Sequence, residues 1–170
     1  MDKLTELLKA KPSEVNNRVT KLIEDNKNLE KKISKLESKI IESKIMSLYN
    51  DVCDLNDKEG KILVKFLSDI NPKFLKDVVM MINNKYPKSI IILAACDEIS
   101  QKVSVVVKIN DMYVSKSLDA KVILNEILEK LNGKGGGKSN YAQGSGIYSN
   151  NVNLDKILLD IKEKTVAQLS

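Results

Sequence analysis

The sequence predicts a mixed α/β (α+β) protein: a long N-terminal coiled-coil helix followed by a small mixed-sheet domain with helices packed on it. Three observations carry this expectation. The first quarter is charged, with apolar residues recurring at alternating steps of four and three. Beyond residue 60, short apolar runs alternate with amphipathic stretches, the pattern of a sheet covered by helices. Near the C-terminus lies a glycine-rich passage, Gly133-Lys134-Gly135-Gly136-Gly137-Lys138, which interrupts the helical patterning.

Taken in order, Asp2 to Ala10 reads as a short helix with Leu4, Leu7 and Leu8 on one face. Pro12 suits the first turn of a second helix, where its missing N–H costs nothing. Val19, Leu22, Asn26, Leu29, Ile33 and Leu36 then form a heptad seam, with Val19, Asn26 and Ile33 at a and the leucines at d. A polar residue at a fixes register at some cost in stability. Helical to about Leu48, this element is roughly 55 Å long at 1.5 Å per residue. A seam of that length needs a partner, and self-association in a homodimer is the expectation; packing on another part of the same polypeptide is the alternative. Ile41, Ile45 and Leu48 continue the pattern after it slips and are expected to dock on the second domain.

Tyr49 to Gly60 shifts to Asn, Asp and Gly, so the boundary is placed here, giving a helical dimerisation segment over 1–50 and a globular domain over 51–170. Lys61 to Leu67 reads as a strand buried on both sides. Asn71-Pro72 caps and opens a helix carrying Phe74, Leu75, Val78, Val79 and Ile82, ended by Pro87. Ser89 to Ala95 is the most apolar strand and is expected at the centre. Lys102 to Ile109 places Val103, Val105 and Val107 on one face; Asn110-Asp111 reads as a turn. A helix from about Asp119 carries Val122, Ile123, Ile127, Leu128 and Leu131 and is stopped by Gly133. After a glycine loop, Tyr141 to Gly144 forms a short strand, and a last helix from about Asn153 buries Leu154, Ile157, Leu158 and Ile161.

Composition narrows the chemistry. The 170 residues contain no histidine, which removes the usual general base and most zinc chemistry. Cys53 and Cys96 have no His or Cys at ligand spacing, so reduced thiols are expected, with Cys96 buried at the end of an apolar run. Net charge of +5 only weakly favours an acidic partner. No segment is long and apolar enough to span a membrane and no signal peptide opens the chain, so a cytoplasmic location is expected. The basic stretch Lys31, Lys32, Lys35 and Lys39 is interleaved with acids and reads as a solvated helix surface. No catalytic constellation emerges.

The glycine passage carries the chemistry that remains. No acid occurs between Lys130 and Asp155. Glycines let successive backbone N–H groups turn toward an anion, and Lys134 and Lys138 add charge beside them. The expectation is a phosphate-contacting loop; a flexible connector is the plain alternative. The spacing fits neither a Walker A loop nor a dinucleotide fingerprint, because the glycines follow a helix and lack the four-residue spacer. Tyr141 and Tyr148 have the chemistry to stack on exposed bases, or else they half-bury at a sheet edge.

Two passages resemble a known family. The glycine passage followed by Ala142-Gln143-Gly144 looks like the motif near the C-terminus of alanyl-tRNA synthetases. Leu7-Leu8-Lys9-Ala10-Lys11-Pro12, with Val15, Arg18-Val19 and Leu22, resembles the passage from the editing region of those enzymes into their coiled coil. The resemblance implies that this chain is the C-terminal piece of an alanine–tRNA ligase, without catalytic residues of its own. ATP, Mg and Zn are then expected only in parts of the parent enzyme lying outside this sequence. It implies a tRNA(Ala) partner, contacted at the elbow through Lys134, Gly135, Gly136, Gly137, Lys138 and Tyr141, and a homodimer through the seam residues. The same small fold resembles the substrate-binding half of DHH-type phosphoesterases, where a histidine usually follows the glycines; Lys138 stands there instead. A purely structural coiled-coil adaptor is the third reading.

Overall fold

The computed structural model describes residues 3–55, 59–149 and 151–169. The chain divides into two units, Met1–Glu42 and Ser43–Ser170. The division falls inside a helix that is continuous across it.

The first unit holds α1 (Lys3–Leu8), a single 3-10 turn at Pro12–Glu14 and most of α2 (Val15–Asn50), which is 36 residues long. Lys9 ends α1 in the left-handed region (φ 47°), and Pro12 opens the turn that runs into α2, as its fixed φ favours. Within α2 the seam is exposed. Val19 is 36% accessible, Leu22 52%, Leu29 55%, Ile33 53% and Leu36 61%.

The second unit starts with the last turns of α2, where Ile45 and Leu48 are buried and Lys44 pairs with Asp69 at 2.6 Å. Six strands follow: β1 (Cys53–Asp54), β2 (Lys61–Leu67), β3 (Ser89–Asp97), β4 (Lys102–Ile109), β5 (Lys134–Lys138) and β6 (Tyr141–Ile147). They form one sheet in the order β1-β2-β3-β4-β6-β5. β2 and β3 are parallel and every other neighbouring pair is antiparallel, so the sheet is mixed. The parallel pair requires a crossover, supplied by α3 (Leu75–Lys85).

α3 begins after a 3-10 turn, Pro72–Phe74, for which the Asn71 side chain accepts the Lys73 N–H, as the Asn-Pro signal predicts. α5 (Ala120–Glu129) is capped by Asp119, which accepts from the N–H groups of Lys121 and Val122. α6 (Leu154–Gln168) is capped by Asn153, which accepts from Lys156. α5 and α6 pack on one face of the sheet, where Ile62, Ile90, Ile92, Ala94, Val103, Val105 and Val107 join Leu124, Ile127, Leu128, Leu158 and Ile161 in one core. Alternation sends Leu63, Leu67, Ile91, Leu93 and Ala95 to the other face. There α3 lies against β3 and β4 with Leu75, Val78, Val79 and Ile82 buried.

The structure departs from the sequence reading in several places; among them, β6 continues to Ile147 instead of ending at Gly144. Asn110 does not open a simple turn; its side chain accepts the Met112 N–H and starts a short helix, α4 (Asp111–Val114). The same Asn chemistry serves turns and caps alike. Val122 is 63% exposed, and Leu124 takes the buried place, because the covered face of α5 centres on Ala120, Ile123, Leu124, Ile127 and Leu128. Cys96 is half-buried, with burial, Asp97 and Glu98 pushing its thiol up. The glycine passage is a strand rather than a loop.

Candidate nucleic-acid interface

β5 and β6 form a hairpin joined by Ser139-Asn140, which places the glycine strand at the edge of the sheet. The loop is pinned: the Ser139 carbonyl accepts from the Ala120 N–H, the Asn140 carbonyl from the Ile109 N–H, and the Asn140 amide donates to Asp111 at 2.8 Å. In a strand, successive N–H groups point in opposite directions, so the concave nest expected of a glycine loop does not form. What β5 offers instead is an outer edge of main-chain groups with no neighbouring strand.

The glycines divide between the two faces. Gly135, Gly144 and Gly146 face α5. A Cβ on Gly144 would lie 2.4 Å from Leu128 Cδ1 and 2.7 Å from Gly135 Cα, and one on Gly146 would lie 2.5 Å from Leu131 Cβ. These glycines let α5 lie close to the hairpin. Gly136 points the other way, and a Cβ there would meet nothing within 4 Å.

Beyond α3, over β5 and β6, that other face is open and basic. Cross-strand pairing puts Lys134, Ser145 and Ser104 in one row, Gly136, Gln143 and Val106 in the next, and Lys138, Tyr141 and Lys108 in a third. Lys102 shares the face, two residues before Ser104. Four lysines therefore rim a patch about 10 Å wide, at about 4.8 Å per strand spacing. Lys102, Lys134 and Lys138 are exposed and Lys108 is half-buried. Among the described residues no carboxylate forms an ion pair with any of the four, and β4, β5 and β6 contain no acid. The acid nearest in register is Asp97 of β3, across from Lys102, whose carboxylate accepts from the Ile99 N–H and the Ser100 hydroxyl. Tyr141 is half-buried; its hydroxyl donates to Gln143 at 2.9 Å, and desolvation pushes its ionisation up.

The structure thus brings Lys134, Gly136, Lys138 and Tyr141 onto one surface and turns Gly135 and Gly137 toward the opposite face. Tyr148 stands apart, stacked on Phe66 with ring centroids 6.4 Å apart. Sequence reasoning missed Lys102, Ser104, Lys108, Gln143 and Ser145. Their signal was present: once Val103, Val105 and Val107 occupy one face of a strand, Lys102, Ser104 and Lys108 must occupy the other. Among the described residues no group of three or more His, Cys, Asp and Glu side chains gathers as a metal site. No helix among them is long and apolar enough to cross a membrane.

Residues 59–166 match the DHHA1 domain family, covering most of the second unit. The alanine–tRNA ligase of Psychrobacter cryohalolentis is 31% identical over 157 residues, 90% of this chain and 17% of that enzyme. The alanine–tRNA ligase of Fervidobacterium nodosum is 32% identical over 149 residues, 85% of this chain and 16% of the enzyme. The chain therefore spans about a sixth of the length of these curated relatives. The C-Ala domain of Aquifex aeolicus alanyl-tRNA synthetase shares the fold at a TM-score of 0.50 and 22% identity, over 65% of this chain and 96% of that domain. The chain belongs to the DHHA1 domain family and is similar to the C-terminal domain of alanyl-tRNA synthetases.

Proposed function

We propose that this chain is the non-catalytic C-terminal module of a cytoplasmic alanine–tRNA ligase, binding tRNA(Ala) through the open face of the β5–β6 hairpin and associating as a homodimer through α2. The observation that carries the first half is the lysine rim on β4, β5 and β6, three strands without an acid. Lys134 and Lys138 stand on the same face of β5, about 14 Å apart at about 3.4 Å per residue. Gly136 between them leaves the surface bare, so a sugar–phosphate strand can approach the sheet closely. Lysines supply charge to phosphates without reading sequence, so selection of the tRNA rests on shape and on exposed loop bases. Tyr141, at the end of the same face, is the side chain available for stacking on such a base. ATP and metals act in other parts of the parent ligase under this reading.

Titration of labelled tRNA(Ala) at several salt concentrations tests it. Each lost phosphate contact lowers the slope of log affinity against log salt by about 0.7 to 0.9. Lys134→Ala/Lys138→Ala protein should therefore bind more weakly, with a slope shallower by about 1.4 to 1.8. Unchanged affinity and slope would reject the assignment.

A further inference from the structure

The basic face does not end at the hairpin. Because α3 packs on β3 and β4, its start stands beside the uncovered part of the sheet. Between the two lies an open cleft of about 440 Å³, lined from one side by Lys73 and Lys76 and from the other by Lys102 and Lys134, with Ser104, Gln143 and Ser145 on its floor. The lining contains no acid and no aromatic side chain; Asp97, across from Lys102 on β3, lies outside the lining with its carboxylate held by the Ile99 N–H and the Ser100 hydroxyl. The Lys73 ammonium sits 4.7 Å from the Phe74 ring centroid and is already engaged. Lys76 is exposed and, among the described residues, has no carboxylate partner.

We infer that this cleft is a second RNA subsite, adjoining the glycine strand at Lys134 and reaching across to α3, that grips the sugar–phosphate backbone with Lys76 and Lys102 as its cations. The inference rests on the tRNA-binding reading above and extends it to an element that reading does not use. Cations on opposite walls suit a chain of phosphates passing between them. Neutral hydroxyl and amide groups on the floor suit phosphate oxygens and the ribose 2′-OH, which is both donor and acceptor. With no ring to stack a base, contact here is with the backbone and independent of sequence.

The test uses the full chain and a labelled tRNA(Ala) transcript. Lys76→Ala/Lys102→Ala should weaken binding and make the salt slope shallower by about 1.4 to 1.8, while Lys76→Arg/Lys102→Arg should keep the slope of the unaltered protein. Lys121→Ala/Lys156→Ala removes the same charge from α5 and α6 and should leave the slope in place. If Lys76→Ala/Lys102→Ala binds like the unaltered protein while Lys134→Ala/Lys138→Ala loses affinity, the cleft is rejected and the hairpin reading stands. If the unaltered protein binds no tRNA, both are rejected. Inorganic phosphate at the same total phosphate concentration should not displace the RNA; displacement would mark a single-anion pocket and overturn the backbone assignment.

Discussion

Glycine in this chain has two jobs that its letter does not separate. On the α5 side, Gly144 and Gly146 have no room for a methyl group, because the obstacles include backbone atoms that cannot swing away: Gly135 Cα and the Lys134 carbonyl for the first, the Leu131 carbonyl for the second. On the open side, a Cβ added to Gly136 would meet nothing within 4 Å. Gly144→Ala should therefore lower stability by about 1–3 kcal/mol through overpacking of α5 against the hairpin. Gly136→Ala should be neutral or stabilise by up to about 1 kcal/mol, because a side chain restricts the unfolded strand. Urea unfolding of the two variants decides the matter. Equal destabilisation by both would mean that the glycine strand is held in some other conformation, and with it the lysine rim.

At the scale of elements, the parts built on periodicity were legible and the parts built on pairing were not. β2 and β4 have the boundaries that their apolar patterns indicate, and β3 runs two residues past its expected end into Cys96 and Asp97. The caps Asn71, Asp119 and Asn153 stand where short polar side chains precede apolar runs. β1 escaped notice because two residues carry no period; it exists through its pairing with Lys61 and Ile62. β5 escaped for the opposite reason: Lys-Gly-Gly-Gly-Lys has low strand propensity, and only β6 beside it and α5 beneath it make it a strand. Recognising a basic glycine passage located the candidate interface, but its form as a flat face depends on a tertiary neighbour that sequence spacing does not encode. α5 is that neighbour, and its cap is the exposed handle on it. Asp119→Ala removes the acceptor for the N–H groups of Lys121 and Val122 and should cost about 1 kcal/mol. A shift in urea midpoint with unchanged slope checks this; no shift would mean that the interior packing of α5 holds its first turn without the cap.

For the molecule as a whole, the question is what covers α2. The residues from Val19 to Leu36 that repeat at a and d are between 36% and 61% accessible, an apolar stripe that water penalises along its length. The second unit has its own core, so the stripe is not needed to complete it. A second copy of the same helix meets the requirement with matching spacing, and Asn26 at an a position would select one register among those the stripe allows. Sedimentation equilibrium should accordingly find a dimer at tens of micromolar. Leu29→Lys puts a charge at a central d position and should return the chain to monomer. Because Leu29 lies in the first unit, the thermal transition of the sheet should stay where it is. Asn26→Leu makes the opposite change: tighter association with a relaxed choice of register or oligomer size, since the polar residue trades stability for specificity. A chain that remains monomeric at high micromolar concentration, with Asn26→Leu monomeric as well, would show that a second copy does not cover the stripe.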